Sequence, residues 1–139
     1  MKITVDTNIL ISATFWTGDS HRIILKAENK EIELVLSREI IEEFCKVLKY
    51  NEIADKIQHK NLEILRTVEN IVSMSILVEP TEHLDIVKDD PDDNIVLECA
   101  KAGNSDYIIT QDNHLLRLGQ FEGIKILTPK QFLNVLQFN

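Results

Sequence analysis

Carboxylates are the side chains of this sequence whose spacing could do chemistry. The densest group is "DDPDDN", residues 89–94, with four aspartates in six positions around Pro91. Asp6 stands directly after the apolar run "KITV", and Asp112 closes the stretch "YIITQD". Glu43 lies in "REIIEEFCKVLK". At a helical spacing of ~100° per residue, Glu43 falls about 100° from the centre of the apolar face formed by Ile40, Ile41, Phe44, Val47 and Leu48, whereas Glu42 falls about 160° away. A border position can point into a cleft and a solvent-facing one cannot, so Glu43 is the better candidate. Hard cations such as Mg2+ and Mn2+ take oxygen ligands of this kind. An ion so held serves phosphoryl chemistry by activating water and stabilising the leaving oxygen.

Each acid also has an ordinary explanation. Strand-end aspartates favour turns. Asp90 can cap a helix with Pro91 at its first position, and Asp92 and Asp93 then meet the positive end of the helix dipole. What these explanations leave open is why four acids pack together against their own repulsion. The candidate set from the residues alone is Asp6, Glu43, Asp112 and one or more of Asp90, Asp92 and Asp93.

Such a set needs elements that bring distant residues together. Strands are expected at Lys2–Val5, Leu34–Leu36, Ile76–Val78, Tyr107–Thr110 and Ile124–Leu127, from short β-branched and apolar runs. Helical patterns fill Ser20–Glu28, Arg38–Lys49, Leu62–Val72, Asp92–Ala102 and Pro129–Val135, with a weaker one over Asn51–Lys60. The alternation implies an α/β fold with a mostly parallel five-stranded sheet. Ligands of such sheets bind beyond the carboxyl ends of the strands, near a topological switch point. Asp6 and Asp112 are expected there.

Composition sets the outer bounds. The 139 residues fit one domain, 1–139, with no repeat, low-complexity tract or linker. No apolar run approaches the ~18 residues needed to span a bilayer, and the N-terminus does not read as a signal peptide. The expected location is therefore cytoplasmic, without a membrane. The net charge of −8 argues against a passive basic nucleic-acid binder, but not against an enzyme that holds cations. The excess is local: residues 67–106 carry ten acids against Lys88 and Lys101. Cys45 and Cys99 have no ligand or disulfide spacing and read as buried thiols.

In order along the chain, "VDTN", "SREIIEEF", "DDPDDNIVLECA" and "YIITQDNHLL" resemble the PIN domain family, and most of all its short single-domain members regarded as toxins of toxin–antitoxin pairs. The resemblance implies a three-layer α/β/α sandwich and a metal-dependent endoribonuclease using Mg2+ or Mn2+. It maps the family's acidic quartet onto Asp6, Glu43, Asp93 and Asp112, with Asp6 and Asp93 as the central metal ligands. It gives supporting roles to Asn8, beside the first aspartate, and to Thr110 in the "T-x-D" position. Asp90 is a further supporting acid of the cluster. The partners implied are RNA and a small antitoxin protein. The alternative function is an inactive PIN-like protein-interaction module.

Among the remaining residues, Arg38 is the cation favoured for contact with RNA phosphates. His21, His59, His83 and His114 lack metal-ligand spacing and read as surface or capping residues, with His114 the hardest to dismiss because it stands two positions from Asp112. Phe15 and Trp16 are read in a loop, "TFWTGDS". With the C-terminal "QFLNVLQF", they form a candidate surface for a homodimer or higher homo-oligomer. Two other aspartate-based folds fit poorly. A haloacid-dehalogenase-like phosphatase needs an aspartate where Asn8 stands, and a receiver domain needs a phosphoacceptor after a third strand.

Overall fold

The computed structural model describes residues 1–49 and 61–138. The weaker helical pattern over Asn51–Lys60 and His59 lie outside the described residues. The strands are β1 (Lys2–Val5), β2 (Glu33–Ser37), β3 (Ser75–Val78), β4 (Tyr107–Ile109), β5 (Gln120–Phe121) and β6 (Ile124–Leu127). The described helices are α1 (Thr7–Phe15), α2 (Asp19–Glu28), α3 (Arg38–Leu48), α4 (Asn61–Met74), α5 (Asp92–Ala102), α6 (Asn113–Leu116) and α7 (Pro129–Gln137).

The six strands form one sheet in the order β3-β2-β1-β4-β6-β5, all parallel except β5. β5 is the strand missing from the five-stranded expectation. Two residues are too few to show alternation, and the strand exists because a tight reversal through Gly123, at φ 84°, folds it back on β6. β1 pairs Ile3 with Leu34 on one side and with Tyr107 on the other. The chain leaves β1 in one direction to build β2 and β3, then returns across the sheet to build β4. The gap between β1 and β4 is thus the switch point. Right-handed crossovers put α5, on the return, on the face opposite the helices joining β1 to β2 and β2 to β3.

Burial follows this layout. Ile3, Val5, Leu34, Val35, Leu36, Ile108 and Ile109 are fully covered, as expected of central strands with helices on both faces. β3 lies at an edge, and its Leu77 is exposed. Cys99 is buried, Cys45 is half-buried, and both are free thiols.

Two helices escaped the sequence reading. In α1 the run "TNILISATF" is apolar on nearly every side, so it shows no amphipathic stripe; burial of Ile9, Leu10, Ile11 and Ala13 stabilises it. Phe15 therefore closes a helix rather than sitting in a loop. Trp16 follows it, half exposed, with its ring edge-on to that of Phe15 at 5.9 Å. α6 has only four residues, too few for any periodicity to register.

α5 starts one position later than a cap at Asp90 implies: Pro91 is the cap residue and Asp92 the first helical one. Pro91 already has helical dihedrals (φ −58°, ψ −26°), and the Asp90 carboxylate accepts the backbone N–H of Asp92 at 3.2 Å. Upstream, the segment between β3 and α5 has no regular structure. Asn94 fixes it: Oδ1 accepts the N–H groups of Ile86 and Val87, each at 2.9 Å, and Nδ2 donates to the Val87 carbonyl at 2.9 Å.

Candidate active site

Asp6 leaves β1 in an extended conformation and caps α1, its Oδ1 accepting the Ile9 N–H at 3.0 Å. Its Oδ2 accepts the Thr110 hydroxyl. The same hydroxyl oxygen accepts the Asp112 N–H at 2.9 Å. One buried threonine side chain therefore ties together the exits of β1 and β4. Burial pushes the Asp6 carboxyl up to about 6; the bonds from Thr110 and Ile9 oppose this, and the charge of Asp112 adds to it.

Asp112 caps α6 through its own Oδ1, which accepts the His114 N–H at 2.7 Å. Asp93 enters from the first turn of α5 and is only 6% exposed. Burial first, then the charges of Asp112 and Asp90, push its carboxyl up to about 7. Its Oδ2 is buried without a hydrogen-bond partner, and so is the Nδ1 of His114. These two atoms stand 3.7 Å apart, and Nδ1 lies 3.6 Å from Asp112 Oδ1. Both distances are too long for a hydrogen bond. Asp90, Asp93, Asp112 and His114 each offer one ligand atom within 4.8 Å of the others.

Asp90, Asp93 and Asp112 open on a cleft of about 130 Å³ lined also by Asp6, Thr7, Asn8, Glu43 and Asp92, with Ile40, Val47, Ile95 and Val96 as apolar walls; His114 stands behind these acids and is not part of the lining. At ~30 Å³ per water, that is room for about four waters or a partly hydrated cation. The half-buried Glu43 reaches the cleft as its border position predicts, and Glu42 points outward to bond Arg38 at 2.8 Å. Asn8 is exposed at the rim.

The structure thus brings Asp6, Glu43, Asp93, Asp112, Asn8 and Asp90 to one cleft, with Thr110 beneath it. Arg38 is not among the lining residues; its side chain is exposed and held by Glu42. Asp6 lines the cleft but is not one of the four residues whose ligand atoms gather most closely, and both its oxygens already accept hydrogen bonds. His114, read from sequence as a surface or capping residue, is one of the four. Only its position two residues after Asp112 hinted at this, because the contact to Asp93 spans separate elements.

The donors fit a divalent cation. A buried carboxylate oxygen with no partner is costly, and clustered acids that raise one another's proton affinity are relieved by positive charge. Fold and site together define an acidic cleft at the switch point of an α/β sheet. The PIN domain profile matches residues 2–114, and the chain belongs to that family. PIN domains are generally nucleases that use divalent metals. The fold is similar to that of PAE2754 from Pyrobaculum aerophilum (TM-score 0.63, 16% identity, 100% of this chain and 91% of that one). It is also similar to VapBC2 from Rickettsia felis, whose structure holds a DNA fragment from the promoter (TM-score 0.58, 14% identity, 91% of this chain and 97% of that one). No curated protein matches the chain. No helix among the described residues is long and apolar enough to cross a membrane.

Proposed function

We propose that the protein is a metal-dependent endoribonuclease that hydrolyses RNA phosphodiester bonds, and that it is the toxin of a toxin–antitoxin pair. The observation that carries the catalytic reading is Asp93 Oδ2, a buried carboxylate oxygen without a partner, on a residue that lines a cleft with further acids. Membership of a nuclease family and a fold shared with a VapBC pair support it. Asp93 and Asp112, with Asp90, would hold the ion, and Asp6 and Glu43 would complete the site. A bound Mg2+ or Mn2+ lowers the pKa of water and neutralises charge developing on phosphate. Asp6 and Thr110 keep the two strand exits in register, so that the acids on α5 and before α6 meet at a fixed separation. Ile40, Val47 and Ile95 limit water at one side of the cleft. The products carry 5′-phosphate and 3′-hydroxyl ends. The partners of this reading are RNA, a small antitoxin protein and a second copy of the chain, in a cytoplasmic setting.

The test is cleavage of a circular single-stranded RNA, which only an endonuclease can open. Cleavage with Mg2+ or Mn2+, abolished by EDTA and by Asp93→Asn, is the expected result. Cleavage that persists in the Asp93→Asn protein would remove the reading. An inert wild type in every metal would leave an interaction module.

A further inference from the structure

The acid cluster holds a nitrogen as well as oxygens. We propose that His114 is a metal ligand, and that it makes this site selective for a first-row transition ion of the Mn2+ kind over Mg2+. The inference rests on the metal-dependent reading above and names the ion that reading leaves open.

Three observations carry it. First, Nδ1 of His114 is buried and has no hydrogen-bond partner, although both neighbouring carboxylates could have accepted from it at a shorter distance. Second, Nδ1 stands at nearly equal distances from Asp93 Oδ2 and Asp112 Oδ1, 3.7 and 3.6 Å. That is the spacing of ligands around a shared ion rather than of groups bonded to each other: atoms on adjacent sides of an octahedral ion at ~2.1 Å stand about 3 Å apart, and those on opposite sides about 4.2 Å. The full group fits within 4.8 Å, so a modest contraction brings all four atoms to one ion. Third, Asp93 Oδ2 is a partnerless oxygen on a side chain only 9% exposed, within the same cluster of ligand atoms. Two orphaned polar atoms 3.7 Å apart are explained together by one cation.

The local fold holds the imidazole there. The His114 backbone N–H is bonded to Asp112 Oδ1, so the cap of α6 fixes the histidine relative to the aspartate. Leu115, next in sequence, is fully buried and anchors the turn. Imidazole nitrogen is a poor ligand for Mg2+, which prefers oxygen and keeps its waters, whereas first-row transition ions accept both nitrogen and oxygen. Three carboxylates with one imidazole therefore favour Mn2+ within the pair of ions the acids alone would admit.

Electron spin-echo spectroscopy of Mn2+ bound to the wild type reads nitrogen in the coordination shell directly, without reference to cleavage. Nitrogen modulation is expected in the wild type and lost in His114→Ala and His114→Gln. Calorimetry is expected to show Mn2+ affinity falling at least about tenfold in both variants, with Mg2+ affinity changed less than about threefold. Mn2+ bound by the wild type without nitrogen modulation overturns the inference, even if both variants misfold. If Asp93→Asn abolishes Mn2+ binding while His114→Ala leaves it intact, the acid site stands and the histidine ligand falls. If the wild type binds neither ion, both readings fall.

Discussion

Asp93 carries a conflict that a metal-free protein must resolve with protons. Asp6 and Asp93 hold their protons to about 6 and 7 in the folded state, but only to about 3.8 in the unfolded chain. Between those values the folded state binds more protons, so rising pH lowers stability. In EDTA, the stabilisation from these two groups is fully present below about pH 4 and is lost as pH climbs through 6 and 7. Urea denaturation at pH 5 and pH 8 is expected to give a higher midpoint at pH 5. Asp93→Asn mimics the protonated carboxyl. It is expected to raise the metal-free Tm at pH 8 by roughly 3–6 °C and to change it little at pH 5. An equal gain at both pH values would show that charge is not the cause. Asp6→Asn behaves differently. The amide oxygen can still cap α1, but the amide nitrogen cannot accept the Thr110 hydroxyl, so relief of charge is offset by a lost bond.

At the scale of elements, the site depends on how α5 is seated. Asn94 is 4% exposed and satisfies three backbone groups of Ile86 and Val87. Asn94→Ala leaves those groups unpaired, the N–H and carbonyl of Val87 in a buried setting, and is expected to cost about 2–4 kcal/mol. Hydrogen exchange at the Ile86 and Val87 amides is the sharper readout, because it should accelerate there before the strands of the sheet open. At the other end of α5, Gly103 follows the last turn with an ordinary φ of −93°. Its role is spatial: a Cβ at that position would stand 2.3 Å from Val35 Cγ1 on β2. Gly103→Ala is expected to destabilise by about 1–3 kcal/mol through overpacking. Val35→Ala in the same chain should recover part of the loss, and a merely additive double mutant would refute the steric account.

The whole molecule carries −8 charges at pH 7, and the acids between residues 67 and 106 account for much of the excess. Self-repulsion of this kind weakens the compact state. A cation bound only by the folded cleft offsets it by mass action, about 2.7 kcal/mol at a hundredfold excess over Kd. Adding Mn2+ at pH 8 is therefore expected to raise Tm by several degrees, EDTA should reverse the rise, and Asp93→Asn should show none. A rise of equal size in that variant would place the ion elsewhere on the acidic surface.

The α/β class, the main strands and most of the described helices are legible in the residues alone. Strands such as Lys2–Val5 and Ile124–Leu127 are written in local runs of β-branched and apolar residues, and α3 in a clear amphipathic stripe. The same stripe picked Glu43 over Glu42, because orientation around a single helix is a local property. α1 stayed hidden because a helix buried on nearly all sides has no periodicity, and β5 because two residues carry no alternation. The site's inner arrangement lay further out of reach. Thr110 bonds Asp6 across 104 residues, and His114 meets Asp93 only because α5 and α6 converge at the exits of β1 and β4. Which carboxylates share a cation-sized gap, and which nitrogen joins them, is decided by distances between elements. Those distances are set by sheet order and crossover hand, which no local pattern of residue types encodes.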